Sequence, residues 1–189
     1  MAELRELAIA PPTSSTRGKL SSISLKNGDP YRLNLTKFLR APFGAGSWDK
    51  NENVRLNLDL SLTDELVDFF NKLDAQIIAL LASKSTTYFR KNLTKEEIVA
   101  IYKPSATPHE KEGMKYPHTL RTKITTVGPK AVKCWTEDKV ERALPADWRS
   151  CEIRPQLVVR SIWFMSNQVG VTYETTNALI REEVAECPF

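Results

Sequence analysis

The feature that most constrains this fold is one long helical stripe set between runs that alternate. Apolar residues recur at Leu62, Leu66, Phe69, Phe70, Leu73, Ile77, Leu80 and Leu81, at the intervals of three and four that define one helix face. That spacing predicts a helix from about Thr63 to Ser83, opened by Ser61-Leu62-Thr63-Asp64 as a capping box. A second capping signal, Thr94-Lys95-Glu96-Glu97, predicts a short helix ending near Lys103-Pro104.

Strand signals stand on both sides of the helix. Lys19 to Lys26 alternates, with Ser21, Ile23 and Leu25 on one face. Asn27-Gly28-Asp29-Pro30 then signals a turn, and Tyr31, Leu33 and Leu35 share the next face, so a β-hairpin is expected. Arg40 to Asn53 reads as a loop. Val54 to Leu60 alternates with its leucines toward one core. Pro11 to Thr16 reads as a flexible arm, and Ser105 to Pro117 as a mobile surface loop. In the last third, Thr119–Val127 and Ala131–Thr136 flank Gly128-Pro129-Lys130. A three-residue loop there would pair Ile124 with Cys134 on one face and Lys123 with Trp135 on the other. Leu157 to Met165 is apolar on both faces, which predicts a central strand with Trp163 in the core; Val169 to Thr176 returns across Ser166-Asn167-Gln168. Trp48 and Trp148 each fit either a surface ring or a loop plug. There is no internal repeat.

These elements describe one mainly β (α+β) domain over residues 1–180, followed by a tail at 181–189. The chain of 189 residues is 41% apolar, ample for one core. No stretch approaches the roughly 18 apolar residues of a membrane span, and Met1 to Pro12 lacks the order of a signal peptide. Cys134, Cys151 and Cys187 form an odd, widely spaced set. That set argues against a disulfide framework and for a reducing, intracellular compartment, nucleus or cytoplasm.

Enzyme chemistry finds little here. His109 and His118 are the two histidines, no Cys or His stands at zinc spacing, and no glycine loop suits a phosphate. Cys134 sits on the apolar face of its strand, a poor place for a nucleophile. The expectation is no catalytic residue, no metal and no cofactor.

Charge and rings say more. The net charge is +4, yet residues 1–180 carry 26 Lys and Arg against 20 Asp and Glu. The expected hairpin aims Arg121, Lys123, Lys133 and Trp135 to one side. Tyr88, Arg90, Lys91, Lys103 and Tyr116 repeat the mixture. Single strands are held by cations on phosphates and rings under bases, the latter worth about 1–3 kcal/mol per stacked base. These nine residues are therefore the candidate nucleic-acid-binding set. The same residues also fit an ordinary solvated face, with Trp135 capping one end of the sheet.

The tail concentrates acid. Glu182, Glu183 and Glu186 precede Cys187-Pro188-Phe189, so a negative run ends in a ring beside a carboxylate. A partner pocket could bury Phe189 for roughly 1.5–3 kcal/mol. Packing of Phe189 on its own domain, or a disordered end, fits the same residues.

In strand order and in this tail, the chain resembles replicative single-stranded DNA-binding proteins of the short-tailed-phage type, which have relatives in large eukaryotic DNA viruses. Glu186-Cys187-Pro188-Phe189 is similar to the acidic Pro-Phe tip of bacterial counterparts. The resemblance implies an OB-like barrel with an inserted long helix and a flexible acidic C-terminal tail. It further implies sequence-independent binding of single-stranded DNA in replication, recombination or repair, and dimerisation as in some members. Glu182, Glu183, Glu186, Pro188 and Phe189 would recruit replication proteins and compete with DNA for the groove. Two other functions fit the same residues: RNA binding on the same scaffold, since stacking is blind to the sugar, and a structural or assembly role without nucleic acid.

Overall fold

The computed structural model describes residues 3–16, 18–47 and 54–182. Its strands are β1 (Leu7–Ile9), β2 (Thr13–Ser15), β3 (Gly18–Leu25), β4 (Tyr31–Asn34), β5 (Leu39–Arg40), β6 (Ala45–Gly46) and β7 (Arg55–Ser61). Helices α1 (Asp64–Ser83), α2 (Ser85–Phe89) and α3 (Lys95–Ile101) follow. The chain then returns to β8 (Ala106–Lys111), β9 (Met114–Thr125), β10 (Lys133–Trp135), β11 (Glu141–Arg142), β12 (Cys151–Met165) and β13 (Gln168–Glu182).

The architecture grows from β12 and β13. They pair antiparallel from Cys151↔Glu182 to Met165↔Gln168, with register shifts at Gln156/Leu157 and Val159/Ser161. Each is 15 residues long, so the hairpin offers two edges longer than an average strand can fill. Interrupted segments fill them instead. Along β12 lie β3, β4 and β5 in turn, all antiparallel to it. Along β13 lie β9 and then β10, both parallel to it. The far edge of β3 carries β2 and β1, and the far edge of β9 carries β7, which in turn carries β6. The path ends at β1 on one side and β6 on the other, an open sheet among the described residues.

Three sequence expectations change here. Asn27 to Pro30 does turn, through Gly28 N–H to Leu25 O and Leu25 N–H to Asp29 O. Yet β3 and β4 share no ladder, because both pair with β12 and the turn is an excursion between them. Gly128-Pro129-Lys130 behaves alike: Val132 N–H donates to Thr125 O at 2.8 Å, closing a loop, after which β10 continues along β13. The expected β9–β10 pairing is absent because β7 holds one edge of β9, and β8 and β13 the other. Finally, Pro11 to Thr16 is no free arm; its last residues form β2 against Gly18–Leu20.

Two further segments gain order. Ser105 to Pro117 forms a hairpin, with Lys111 paired to Met114 across Glu112 and Gly113. Both turn residues have positive φ, 53° and 78°, the geometry whose twist matches antiparallel strands. Ser85 to Phe89 adds the short helix α2.

The core forms where α1 covers one face of the sheet. Leu66, Phe70, Leu73, Ile77 and Leu81 are buried on α1, as the helical spacing requires, against Tyr31, Leu33, Leu58, Leu60, Leu120 and Ile162. Phe70 meets Tyr173 of β13 edge-on at 5.5 Å. The start of α1 at Asp64 matches the sequence, but Ser61 ends β7 and the N-cap Thr63 makes no side-chain cap bond. The α3 capping box does form: Glu97 N–H donates to Thr94 Oγ1, and Thr94 N–H to Glu97 Oε2 at 2.7 Å. Trp148 is buried in a short 3₁₀ turn, which makes it a plug; Trp48 lies outside the described residues.

Candidate nucleic-acid interface

Alternation places the outer face of the sheet opposite α1. On β9, Leu120, Thr122 and Ile124 are buried, so Arg121 and Lys123 leave on the other side. On β10, Cys134 is buried, with Lys133 and Trp135 outward. On β12, Ile162 is buried and Trp163 is outward and half-buried. On β7, Leu58 and Leu60 are buried and Asn57 and Asp59 are outward. The four residues expected to share a face, Arg121, Lys123, Lys133 and Trp135, do share it, through pairing with β13 rather than with each other.

A cleft opens where the sheet parts. β9 meets β13 only at Thr122 and Lys123; before that it pairs with β8. The start of β13 is held elsewhere, by Lys103 N–H donating to Val169 O at 2.8 Å. The resulting cavity, about 460 Å³, is lined by Lys103, His109, Arg121, Lys123, Trp163 and Asp59 among others. Its floor includes Ser105 and Tyr173. Asp59 receives both Arg121 Nε at 2.8 Å and Nη2 at 2.7 Å, and that bond raises the guanidinium's pKa further. His109 Nε2 lies 2.7 Å from Thr119 Oγ1, and its ring sits 6.0 Å from exposed Phe43.

Further along the face, the Lys133 ammonium lies 6.0 Å from the Trp135 ring. The Arg154 and Arg181 guanidinium groups lie over Phe38 at 5.4 and 4.1 Å. Arg160 is ion-paired with Glu174, and Arg181 with Glu137 and Glu152. The face is therefore a mosaic of cations, several already held by acids.

Of the nine candidates, Lys103, Arg121 and Lys123 meet in the cleft, and Lys133 and Trp135 stand on the same face. Tyr116 is exposed on the β8–β9 hairpin, opposite His109. Tyr88 is buried, donates its hydroxyl to Ile9 O at 2.9 Å, and lies parallel to Phe164 at 6.2 Å, away from the cleft. Phe164 leaves β12 opposite Trp163, so α2 stands on the other side of the sheet. Arg90, in the left-handed conformation that ends α2, and Lys91 follow it and do not line the cleft. Trp163 is the residue the sequence placed wrongly: it is a wall of the cleft, not core. The tail residues Glu183, Glu186, Pro188 and Phe189, with the Glu182 side chain, lie outside the described residues.

Cys134 is buried and its thiol is pushed up to about 11, chiefly by that burial, so it offers no thiolate at neutral pH.

No family model and no curated protein matches the chain. Two solved structures follow a similar path. One is the single-stranded DNA-binding protein from bacteriophage Enc34, 12% identical, with a TM-score of 0.48 over 96% of each chain. The other is the same phage protein in complex with ssDNA, 11% identical, also at 0.48, over 93% of this chain and 96% of that one. The likeness is loose.

Proposed function

We propose that this chain is a non-enzymatic single-stranded DNA-binding protein of replication, recombination or repair, and that the strand runs across the outer face of β9, β13 and β12. The observation that carries the reading is the cleft, where Lys103, Arg121 and Lys123 converge beside the half-buried ring of Trp163. Cations there would meet phosphates while Trp163 and Trp135 take bases, an arrangement tolerant of sequence because every base has a π-face. A duplex keeps its bases stacked inside and cannot use those rings. The open sheet, with α1 against its core face, would then be a relative of the OB barrel.

The tail belongs to the same proposal. Glu182, Glu183 and Glu186 would compete with phosphates for the cationic face, and a bound strand would release Pro188-Phe189 for a replication partner.

The test is fluorescence anisotropy of a labelled dT oligonucleotide at low and high salt, beside a duplex and an RNA of matched length. Single-strand binding that weakens with salt, by about 0.7 in log–log slope per phosphate neutralised, is the expected result. Equal binding of RNA would move the ligand to RNA on the same face. No binding at low salt would remove the reading and leave an assembly role.

A further inference from the structure

Across the outer face, four side chains on four neighbouring strands are hydrogen-bonded in a row. Trp135 Nε1 donates to Asn177 Oδ1 at 3.1 Å, Asn177 Nδ2 to Gln156 Oε1 at 2.9 Å, and Gln156 Nε2 to Asn34 Oδ1 at 2.8 Å. The direction of the row is fixed from one end. An indole N–H can only donate, so each amide in turn must present its oxygen toward Trp135 and its NH2 away from it. The row therefore ends in the NH2 of Asn34, an exposed residue. Gln156 Oε1 also accepts from Thr176 Oγ1 at 3.4 Å, which occupies its second acceptor site. What the row has left to offer is richer in donors than in acceptors.

The same four residues line a cavity of about 390 Å³, separate from the cleft, together with Arg154 and Pro155. That volume lies in the range of clefts that take small ligands, and the space is open to solvent. A half-buried ring, a polar edge and a guanidinium thus stand around one space.

We propose that this cavity is a nucleobase subsite selecting a base with a ring carbonyl over adenine. The inference rests on the single-strand reading and adds to it a position where base identity matters. The base stacks on Trp135 and sets its carbonyl against the amide row, with Arg154 toward the adjoining phosphate. Thymine offers two carbonyl acceptors on either side of its N3–H. Adenine pairs with an amide through N7 and N6 together, and the Asn34 oxygen its N6 amino group would need already accepts from Gln156 Nε2. Elsewhere along the face, binding stays indifferent to sequence.

The experiment compares labelled dT and dA oligonucleotides of one length on the full chain, on Asn34→Ala and on Trp135→Leu, with thermal melting to verify folding. The expected result is dT bound several-fold tighter than dA. Asn34→Ala should bring the dT and dA affinities together, chiefly by loosening dT, and Trp135→Leu should weaken both. Equal affinity of the unaltered chain for dT and dA overturns the subsite while the single-strand reading stands. So does a dT preference that survives Asn34→Ala, because such a preference comes from the greater flexibility of the dT strand. If Trp135→Leu does not fold, Asn34→Ala decides alone, its side chain being exposed. Failure of every oligonucleotide to bind removes the single-strand reading and this subsite with it.

Discussion

The indole of Trp163 lies on Gly170, its cross-strand partner: a Cβ added to that glycine would stand 2.5 Å from Cζ2 and 2.8 Å from Cε2 of the ring. No side chain fits there without moving the indole. The glycine thus fixes how Trp163 meets the cleft. Gly170→Ala should lift the ring, costing about 1–3 kcal/mol of stability by overpacking and lowering single-strand affinity several-fold. Melting and anisotropy on the same preparation check both. A variant whose tryptophan fluorescence shifts while affinity holds would show that Trp163 does not stack bases.

Asp59 grips Arg121 at the cleft with two hydrogen bonds. A carboxylate in that place repels an approaching phosphate and occupies the guanidinium that would meet it. Asp59→Asn should tighten single-strand binding several-fold at low salt, with the gain shrinking as salt screens the difference. The Arg121 end is half exposed, so the stability lost with the pair should stay within about 1 kcal/mol. Unchanged affinity in a salt titration would place Arg121 off the path of the strand.

What could be read from the sequence was what is local. The α3 capping box, the α1 stripe and the alternation of Tyr31, Leu33 and Leu35 all depend on residues within a few positions of one another, and all form. Asn27–Pro30 and Gly128–Lys130 failed as hairpin signals for a physical reason. Turn chemistry reports that the chain bends, not which edge the next strand will join, and here β12 and β13 provide edges long enough for the chain to leave and rejoin. Trp163 failed because Leu157 to Met165 is apolar on both faces, which looks like burial on both sides. Its cue was Gly170, a residue with no side chain in a strand opposite a large ring. The Ser105–Pro117 hairpin was hidden because both of its faces are largely polar and solvated, so no alternation shows. The amide row was beyond reach of the sequence, since it joins residues as far apart as Asn34 and Gln156.

Beneath the cleft floor, Asp74 of α1 accepts hydrogen bonds from Tyr102 Oη at 2.7 Å, Ser105 Oγ at 2.6 Å and Ser105 N–H at 2.8 Å. Ser105 gives its one hydroxyl proton to Asp74, so Tyr173 Oη, 2.7 Å away, must donate to Ser105. Burial nonetheless raises the Asp74 carboxyl above 3.8, with the bonds from Ser105 and Tyr102 only partly offsetting it. A raised folded-state value means that the folded chain holds this proton more tightly than the unfolded chain. The stability from this group is therefore full below 3.8 and falls as pH rises through the folded-state value. Asp74→Asn removes the titration and faces an amide NH2 toward a donor, a cost of about 1–3 kcal/mol that does not depend on pH. Denaturation across acidic to neutral pH should show the advantage of the original chain over Asp74→Asn shrinking as pH rises. An advantage that grows instead would mean the hydrogen bonds outweigh burial.

The boundary of the tail can be set by Arg181. Its guanidinium is paired with Glu137 and Glu152 and lies 4.1 Å from the Phe38 ring, while its backbone continues β13 opposite Glu152. Removing 181–189 therefore takes away part of the sheet along with the acids, and should lower the melting temperature. Removing 183–189 leaves the β13 ladder whole, since its last pair is Cys151↔Glu182. Only the shorter deletion isolates charge competition, and it should tighten binding of a dT oligonucleotide at low salt, with the gain fading at high salt. If affinity is the same with and without 183–189, the tail does not compete for the outer face. The longer deletion should weaken binding even in that case, because Arg181, Phe38 and Arg154 stand together beside the Trp135 cavity.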